Sequence, residues 1–195
     1  LYDNILYKDV MVRNQIVNER EVKELVYYTV SNIGKPLTYT SLAKVIGVKN
    51  PTTVKNYLEY IENTYLLFSL SKLDYSVKAQ LRNPKKVYAI DNALVSRLGF
   101  HFSGEEGRLL ENMIYIELRR RGGEVFYHNS GSAECDFVVR DGFRVMQAIQ
   151  VCYLLDSSDT REREIRGVQD AMDTYQLLEG TIVTNLSLIH ISEPT

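Results

Sequence analysis

Cysteine is scarce in this chain of 195 residues, which carries only Cys135 and Cys152. Two cysteines at this spacing build neither a disulfide framework nor a CxxC metal site. Such cysteine usage is typical of proteins from reducing compartments, so we expect this protein in the cytoplasm.

Long apolar runs are absent as well. No stretch of about 18 consecutive apolar residues occurs, so we expect no membrane-spanning helix and no membrane partner. The chain starts at Leu1, and no charged-then-apolar targeting segment follows. We therefore expect it to begin at a cut point within a longer protein.

Charge is nearly balanced overall but uneven along the chain. The formal net charge is −2, and 45% of the residues are hydrophobic, which predicts a packed core in one large or two small domains. Residues 35–100 carry ten Lys/Arg against four Asp/Glu, whereas residues 101–195 carry nine against sixteen. The middle part therefore suits an anionic partner such as DNA, which the last part would repel.

Three short helices are predicted in the first half. An apolar stripe runs through residues 21–33, and Gly34 follows it as a stop signal. A second helix is predicted to start at Thr38 or Tyr39 and to end at Gly47. A third begins with Asn50-Pro51, since Asn is a good N-cap and Pro fits the first helical position. Three helices with a Gly-containing turn are typical of a helix-turn-helix.

Two strands would complete this module. Residues 65–73 and 85–90 have strand character and would pair as a wing. We therefore predict a winged-helix-like domain at 19–92. Residues 1–18 show little patterning and are interpreted as a linker from an upstream domain.

The second half combines helix and strand signals. A helix is predicted at 105–121 and another at 160–176, with strands at 124–128, 135–140, 143–154 and 180–184. Asp141-Gly142 is a strong hairpin turn signal. The expected class is α/β (α+β), with helices flanking a mixed sheet over residues 93–185. Residues 186–195 fit nothing before them and are interpreted as a non-native tail, with an ordinary strand as the alternative.

A set of polar side chains in this second half has the order needed for phosphodiester hydrolysis. Glu111 lies on the predicted helix, Asp136 on the second strand, and Gln150 and Cys152 on the third. Residues two apart share one face of a strand, so Gln150 and Cys152 point the same way, and Asp136 can face the same spot. Carboxylate oxygens bind Mg²⁺, which makes Asp136 and Glu111 the candidate metal ligands.

These residues resemble the restriction-endonuclease-like (PD-(D/E)XK) fold, and more closely domain-of-unknown-function family 4143, the C-terminal domain of prokaryotic AAA-type ATP-binding proteins. The resemblance covers residues 10–185 and lies in the order of its motifs, which are KVYAID at 86–91, GRLLEN at 107–112, ELRR at 117–120, ECDFV at 134–138 and IQVC at 149–152. It implies an upstream ATPase domain that binds ATP. This chain contains no GxxxxGK[ST] and is expected to hold no cofactor itself.

The nuclease pattern is altered at two positions. It requires Glu-x-Lys where this chain has Gln150-x-Cys152. A neutral amide is a weaker ligand for a hard cation, and a thiol cannot act as an ammonium group. We therefore expect a degenerate site, with magnesium relevant only if the site is active. Arg161 or Arg163 from the following helix would be the candidates to replace the missing cation.

The expected nucleic-acid contacts lie on the helix-turn-helix. They are Lys44, Lys49, Thr52, Thr53, Lys55 and Asn56, with Lys85 and Lys86 as further phosphate-contacting candidates. The alternative is that these lysines form an ordinary solvated face. His128 is interpreted as a surface residue at a strand end. Three hypotheses stay open at this point: a DNA-binding or regulatory module of an AAA-type ATPase, an active Mg²⁺-dependent nuclease, and a protein interaction module, with oligomer formation undecided.

Overall fold

The computed structural model describes residues 2–100 and 106–192. Within these ranges the chain folds into helices and two β-sheets, so the predicted mixed α/β class is confirmed. No helix in the described ranges is long and apolar enough to cross a membrane. The chain divides into two compact units, Leu1–Ser69 with Asn83–Phe102, and Leu70–Arg82 with Ser103–Thr195.

The helices and strands are as follows. The helices are α1 (Tyr2–Asn4), which continues as a π-helical segment (Ile5–Val12), α2 (Glu19–Val30), α3 (Tyr39–Val45), α4 (Pro51–Glu62), α5 (Val77–Arg82), α6 (Asn92–Leu98), α7 (Glu106–Arg120) and α8 (Ser158–Tyr175). The strands are β1 (Leu67–Ser71), β2 (Lys85–Ala89), β3 (Glu124–Asn129), β4 (Glu134–Asp141), β5 (Arg144–Val151), β6 (Glu179–Val183) and β7 (Leu188–Ser192).

Side-chain caps determine where two helices of the first unit, α3 and α4, begin. The Thr38 hydroxyl accepts from the Ser41 N–H at 3.0 Å, and the Ser41 hydroxyl accepts from the Thr38 N–H, which together form a capping box at the start of α3. Asn50 Oδ1 accepts from the Thr52 N–H at 2.9 Å and caps α4. Helices α3 and α4 pack together, and β1 pairs with β2. Leu37 adds an antiparallel bridge to Lys85.

The segment interpreted as a linker, residues 1–18, is part of the first unit. It is helical from Tyr2 to Val12, and Leu6 and Val10 are fully buried. Met11 is also buried, and the π-helical segment contacts α2 and α4. A segment that removes three apolar side chains from water belongs to the core. The apolar pattern of the sequence did not predict this helical segment, because a π-helix does not follow the 3.6-residue period of an α-helix.

Helix α4 is tied to α2 by a hydrogen bond with a pH-dependent consequence. The Tyr57 hydroxyl donates to Glu21 Oε2 at 3.0 Å. Burial, followed by this hydrogen bond, raises the pKa of Tyr57 to about 12. A tyrosine in the unfolded chain has a pKa of about 10, so the folded state holds this proton more tightly. The contribution of Tyr57 to stability is therefore complete below pH of about 10 and is lost as the pH rises towards 12.

We expect Tyr57→Phe to weaken the alkaline loss of stability, because phenylalanine has no proton to lose. Urea unfolding from pH 9 to 12 measures this slope, since that range spans the interval between the unfolded pKa of about 10 and the raised pKa of about 12. Tyr65→Phe, at an exposed tyrosine in the same unit, is the matched control. An identical alkaline slope in wild type and Tyr57→Phe would show that the hydroxyl does not link α4 to α2.

The second unit contains a five-stranded mixed sheet in the order β3-β4-β5-β6-β7. β3, β4 and β5 are antiparallel neighbours, β5 and β6 are parallel, and β6 and β7 are antiparallel. Helix α8 packs on β4, β5 and β6, and α7 contacts β3 and β5. The Tyr115 ring on α7 stacks on the Phe137 ring of β4 with centroids 6.1 Å apart.

Residues 188–192, interpreted as part of a tail outside the fold, form β7 at the edge of this sheet. β7 pairs antiparallel with β6 from Val183↔Leu188 to Glu179↔Ser192. The structure therefore corresponds to the alternative that the sequence left open, an ordinary strand. Ile189 and Ile191 lie two residues apart on one face of this strand, and of the two only Ile191 is half-buried.

Candidate functional site

β4 and β5 separate at the position of the predicted site. Their antiparallel ladder runs from Asp141↔Arg144 to Phe137↔Ile149. At the next position the backbone N–H of Asp136 donates to Gln150 Oε1 at 3.0 Å, and the N–H of Val151 donates to Asp136 Oδ2 at 3.1 Å. Side chains thus take over the hydrogen bonds that backbone carbonyls would make in a continued ladder.

Helix α8 supplies the third member of this network, Glu164. Gln150 Nε2 donates to Glu164 Oε2 at 2.5 Å, and Arg163 donates to Glu164 Oε1 from Nη2 at 2.5 Å and from Nε at 3.1 Å. Asp136, Gln150 and Glu164 are all buried, with exposed fractions of 6–8%, whereas Arg163 is exposed. Burial of the Glu164 carboxylate is tolerated because Gln150 donates to one of its oxygens and Arg163 to the other.

Sequence reasoning missed Glu164 because it lies in the charged run from Arg161 to Arg166. A signal was nevertheless present. Glu164 precedes Gly167, Val168 and Ala171 at spacings of three, four and seven residues, and all of these are buried. A helical position on an apolar stripe faces the core whatever its residue type.

Gly167 lets α8 come close enough for this contact. A Cβ atom at this position would overlap the backbone carbonyl oxygen of Glu134 on β4 and would approach Gln150 Oε1 to 3.6 Å. The absence of a side chain therefore allows the helix backbone to lie directly on the strand. One turn earlier, Glu164 is then within reach of Gln150.

Cys152 directly follows β5 and lies near Glu164 and Asp136, and its environment favours the neutral thiol. Its Sγ–H donates to the Leu154 carbonyl oxygen at 3.0 Å. Burial, and then the nearby Glu164 and Asp136 carboxylates, raise the pKa of Cys152, while the Leu154 bond and Arg163 act in the opposite direction. The thiolate, which is the nucleophilic and metal-binding form, is therefore disfavoured at this position.

The hydrogen bonds of Gln150 do not favour a cation beside Glu164. Among residues 2–100 and 106–192 no group of three or more His, Cys, Asp or Glu side chains can hold a metal ion. The Gln150 amide donates its N–H to Glu164 and accepts from the Asp136 backbone N–H with its oxygen. The Glu164 carboxylate, which a cation would need as a ligand, is therefore bonded to an N–H group instead. Glu111, the other predicted ligand, is half-buried on α7.

A cavity of about 380 Å³ opens beside this network. It is lined by Asn129 at the end of β3, by residues 131–134 that lead into β4, and by Arg163 and Arg166 of α8. Of the two arginines proposed to replace the missing ammonium, Arg163 therefore lies at the site. Its guanidinium is engaged by Glu164.

The predicted nucleic-acid contacts lie mainly on exposed surface of the first unit. Lys44 lies at the end of α3, Lys49 in the turn, and Thr52, Lys55 and Asn56 on α4, all exposed, while Thr53 is half-buried. Lys86 was also a candidate, and this was wrong, because its side chain is 1% exposed. Lys85 is half-buried, and burial lowers its pKa.

The interpretation of His128 as a surface residue was wrong. It is 4% exposed on β3, and both ring nitrogens have partners on α8. Nε2 lies 2.6 Å from Asp170 Oδ2, and Nδ1 lies 3.0 Å from the Tyr175 hydroxyl. Each ring nitrogen of His128 thus has a hydrogen-bond partner, and the tautomer sets which of them donates.

Comparisons with known proteins give a family but no activity. A family model described as Domain of unknown function (DUF8612) matches residues 1–105, more than half of the chain. An uncharacterized protein of Methanocaldococcus jannaschii is 32% identical over 183 residues, which cover 90% of this chain and 40% of that protein. An uncharacterized protein of Haemophilus influenzae is 22% identical over 203 residues, which cover 98% of this chain and 50% of that protein.

The chain thus spans half or less of the length of these two relatives. No solved structure gives a significant match. None of these matches bears on the resemblance to family 4143 or to the PD-(D/E)XK fold, which stays a prediction from the sequence motifs.

Proposed function

The chain belongs to the DUF8612 family, and we propose that this member is the C-terminal portion of an AAA-type ATPase, a DNA-binding module whose nuclease-like domain does not cleave DNA. The observation that carries the proposal is the hydrogen-bonded network of Asp136, Gln150 and Glu164. In this network the Gln150 N–H donates to Glu164, so a hydrogen-bond donor lies beside the carboxylate where a cation would bind. A hydrolytic site would instead leave carboxylate oxygens for the metal.

DNA binding is assigned to the first unit. The order α2, Leu37 bridge, α3, α4, β1, β2 corresponds to a winged helix, in which the third helix enters the major groove. Lys49, Thr52, Lys55 and Asn56 are exposed around the start of α4, where a recognition helix contacts DNA. The excess of basic residues in 35–100 supports phosphate contacts.

In this proposal, the full-length protein is cytoplasmic and has an ATPase domain upstream of this chain, and ATP binds to that domain. Binding of DNA to this chain would in turn affect the ATPase domain. Since the relatives are about twice as long as this chain or longer, they have room for such a domain. A GxxxxGK[ST] motif in the full-length sequence is the expected finding, and its absence would remove the ATPase from the proposal.

We expect the protein to bind duplex DNA and Lys55→Glu to weaken that binding by about tenfold, with a salt slope shallower by about one. Lys55 is exposed on α4, so the substitution removes a phosphate contact without touching the core. Anisotropy of a labelled duplex at several salt concentrations measures both quantities. Lys8→Glu, at an exposed lysine on the π-helical segment, is the matched control and should bind as wild type does.

The same samples with Mg²⁺ or Mn²⁺ test cleavage of linear, circular and branched DNA. No cleavage is expected. Cleavage by wild type that Asp136→Asn abolishes would replace the proposal with an active nuclease. Absence of DNA binding altogether would leave the protein interaction module as the remaining function.

A further inference from the structure

Helix α4 turns one face towards the core of the first unit and the opposite face towards solvent. The buried side chains are Val54, Leu58 and Ile61, spaced by four and three residues. The exposed side chains on the opposite face are Thr52, Asn56 and Glu59, with the same spacing. The helical period therefore places Asn56 near the middle of the solvent face, on the side of the helix away from the core.

Lys55 is exposed at the edge of this face and not at its middle. A helix rotates by about 100° per residue, so the side chains of Lys55 and Asn56 leave the helix in clearly different directions. When a helix lies in the major groove, side chains at its edge meet the phosphate backbone, and side chains at the middle of the buried face meet the base edges. Lys55 is therefore placed for a phosphate contact and Asn56 for a base contact.

The side-chain amide of Asn56 makes no hydrogen bond to another residue within the described ranges 2–100 and 106–192. Other asparagines of the first unit use their amides inside the protein. Asn14 donates to the Val10 carbonyl oxygen at 2.7 Å, and Asn32 donates to the Tyr28 carbonyl oxygen at 2.9 Å. The Asn56 amide thus presents a donor and an acceptor side by side to solvent, and the N7 and N6 atoms of adenine are their complement in the major groove.

We propose, on the basis of the DNA binding proposed for α4, that Asn56 reads an adenine in duplex DNA. The first unit then recognises a particular base sequence and not the phosphate backbone alone. Asn56 lies in the second turn of α4, and the N-terminal residues of a recognition helix are those that reach base edges. The substrate class is duplex DNA because its major groove admits a helix, whereas the major groove of duplex RNA is too narrow.

The test selects duplexes from a randomised DNA library with the whole chain and then measures the affinity for single duplexes by fluorescence anisotropy. The selected sequences are expected to share an adenine, and replacing its A·T pair by G·C should weaken binding by wild type about tenfold. Asn56→Ala should bind these two duplexes equally, because alanine has no amide. Asn63→Ala is the matched control and should keep the preference of wild type, since Asn63 is exposed at the opposite end of α4.

Lys55→Glu should give a different result with the same two duplexes. Loss of a phosphate contact weakens binding to both by the same factor and leaves the preference for adenine unchanged. Circular dichroism verifies that each variant is folded, which is expected because the substituted side chains are exposed.

The base-reading role of Asn56 is overturned if the chain binds all duplexes equally, or if Asn56→Ala keeps the preference for adenine. It is equally overturned if duplex RNA of the selected sequence binds as tightly as the DNA. Equal binding to every DNA duplex would leave the proposed DNA-binding function in place, whereas no binding to any duplex would remove that function as well. The two failures are therefore distinguishable.

Discussion

Gly167→Ala is expected to destabilise the protein by about 2–3 kcal/mol, although alanine is the better helix former. The added methyl group would overlap the carbonyl oxygen of Glu134, which belongs to a β-strand and cannot rotate away. Helix α8 must therefore move off β4, where it buries Val168, Ala171 and Met172. The gain in helix propensity, about 1 kcal/mol, is smaller than this loss.

The control for this variant is another helical glycine. At Gly107, in α7, the nearest atom that the described residues place there, outside the helix backbone and the chain neighbours, is Tyr153 Cβ at 3.9 Å, an ordinary contact. Gly107→Ala should therefore raise the free energy of unfolding by about 0.5–1 kcal/mol. Urea unfolding monitored by circular dichroism measures both variants. A Gly167→Ala protein as stable as Gly107→Ala would show that α8 does not depend on close approach to β4.

The local elements of this fold could be predicted from the sequence because their signals lie within a few residues. Asn50-Pro51 specifies the start of α4 through a side-chain cap and a fixed φ angle. Asp141-Gly142 specifies the turn between β4 and β5, and Gly142 has the positive φ of 57° that this turn needs. Because the strands of a hairpin are paired, this turn also brings Asp136 near Gln150.

The remaining features of the site depend on contacts between distant residues. The charged residues around Glu164 favour a solvated helix face, and its burial follows only from the docking of α8 through Gly167. His128 meets Asp170 and Tyr175, which lie 42 and 47 residues away in the sequence. No local pattern encodes such pairs, since they are set by which faces the sheet and the helix present to each other.

Gln150→Glu is expected to cost about 3 kcal/mol at pH 8. The substitution keeps the size of the side chain but replaces the N–H group that donates to Glu164 Oε2 at 2.5 Å with a second carboxylate oxygen. The oxygen that accepts from the Asp136 N–H is retained. Two carboxylates then face each other inside the protein, with Asp136 nearby, and Arg163 neutralises only one charge.

This destabilisation should depend on pH with a definite sign. Repulsion raises the pKa of the introduced carboxyl in the folded state above its unfolded value of about 4.3. The variant is therefore close to wild type in stability below pH of about 4, and its deficit grows as the pH rises through the interval between the two pKa values. Urea unfolding of both proteins between pH 4 and 8, spanning the unfolded pKa of about 4.3, measures the deficit.

Gln147→Glu separates this effect from the added charge alone. Gln147 lies on the same strand, β5, but is exposed, so its substitution should change stability by less than about 0.5 kcal/mol at any pH. If Gln150→Glu shows the same small, pH-independent change, the amide does not bridge Asp136 and Glu164. A deficit that disappears at low pH would instead locate the repulsion between positions 150 and 164.

Gln150→Glu also tests the proposal that the nuclease-like domain does not cleave DNA. It restores the acid that the nuclease pattern requires at position 150, but Cys152 still supplies no ammonium group. Arg163 cannot take over that role while Glu164 holds its guanidinium through two hydrogen bonds. Gln150→Glu is therefore expected to remain inactive on DNA with Mg²⁺ or Mn²⁺. Cleavage by this variant would mean that a single amide, and not the combined loss of acid and ammonium, keeps the domain from acting as a nuclease.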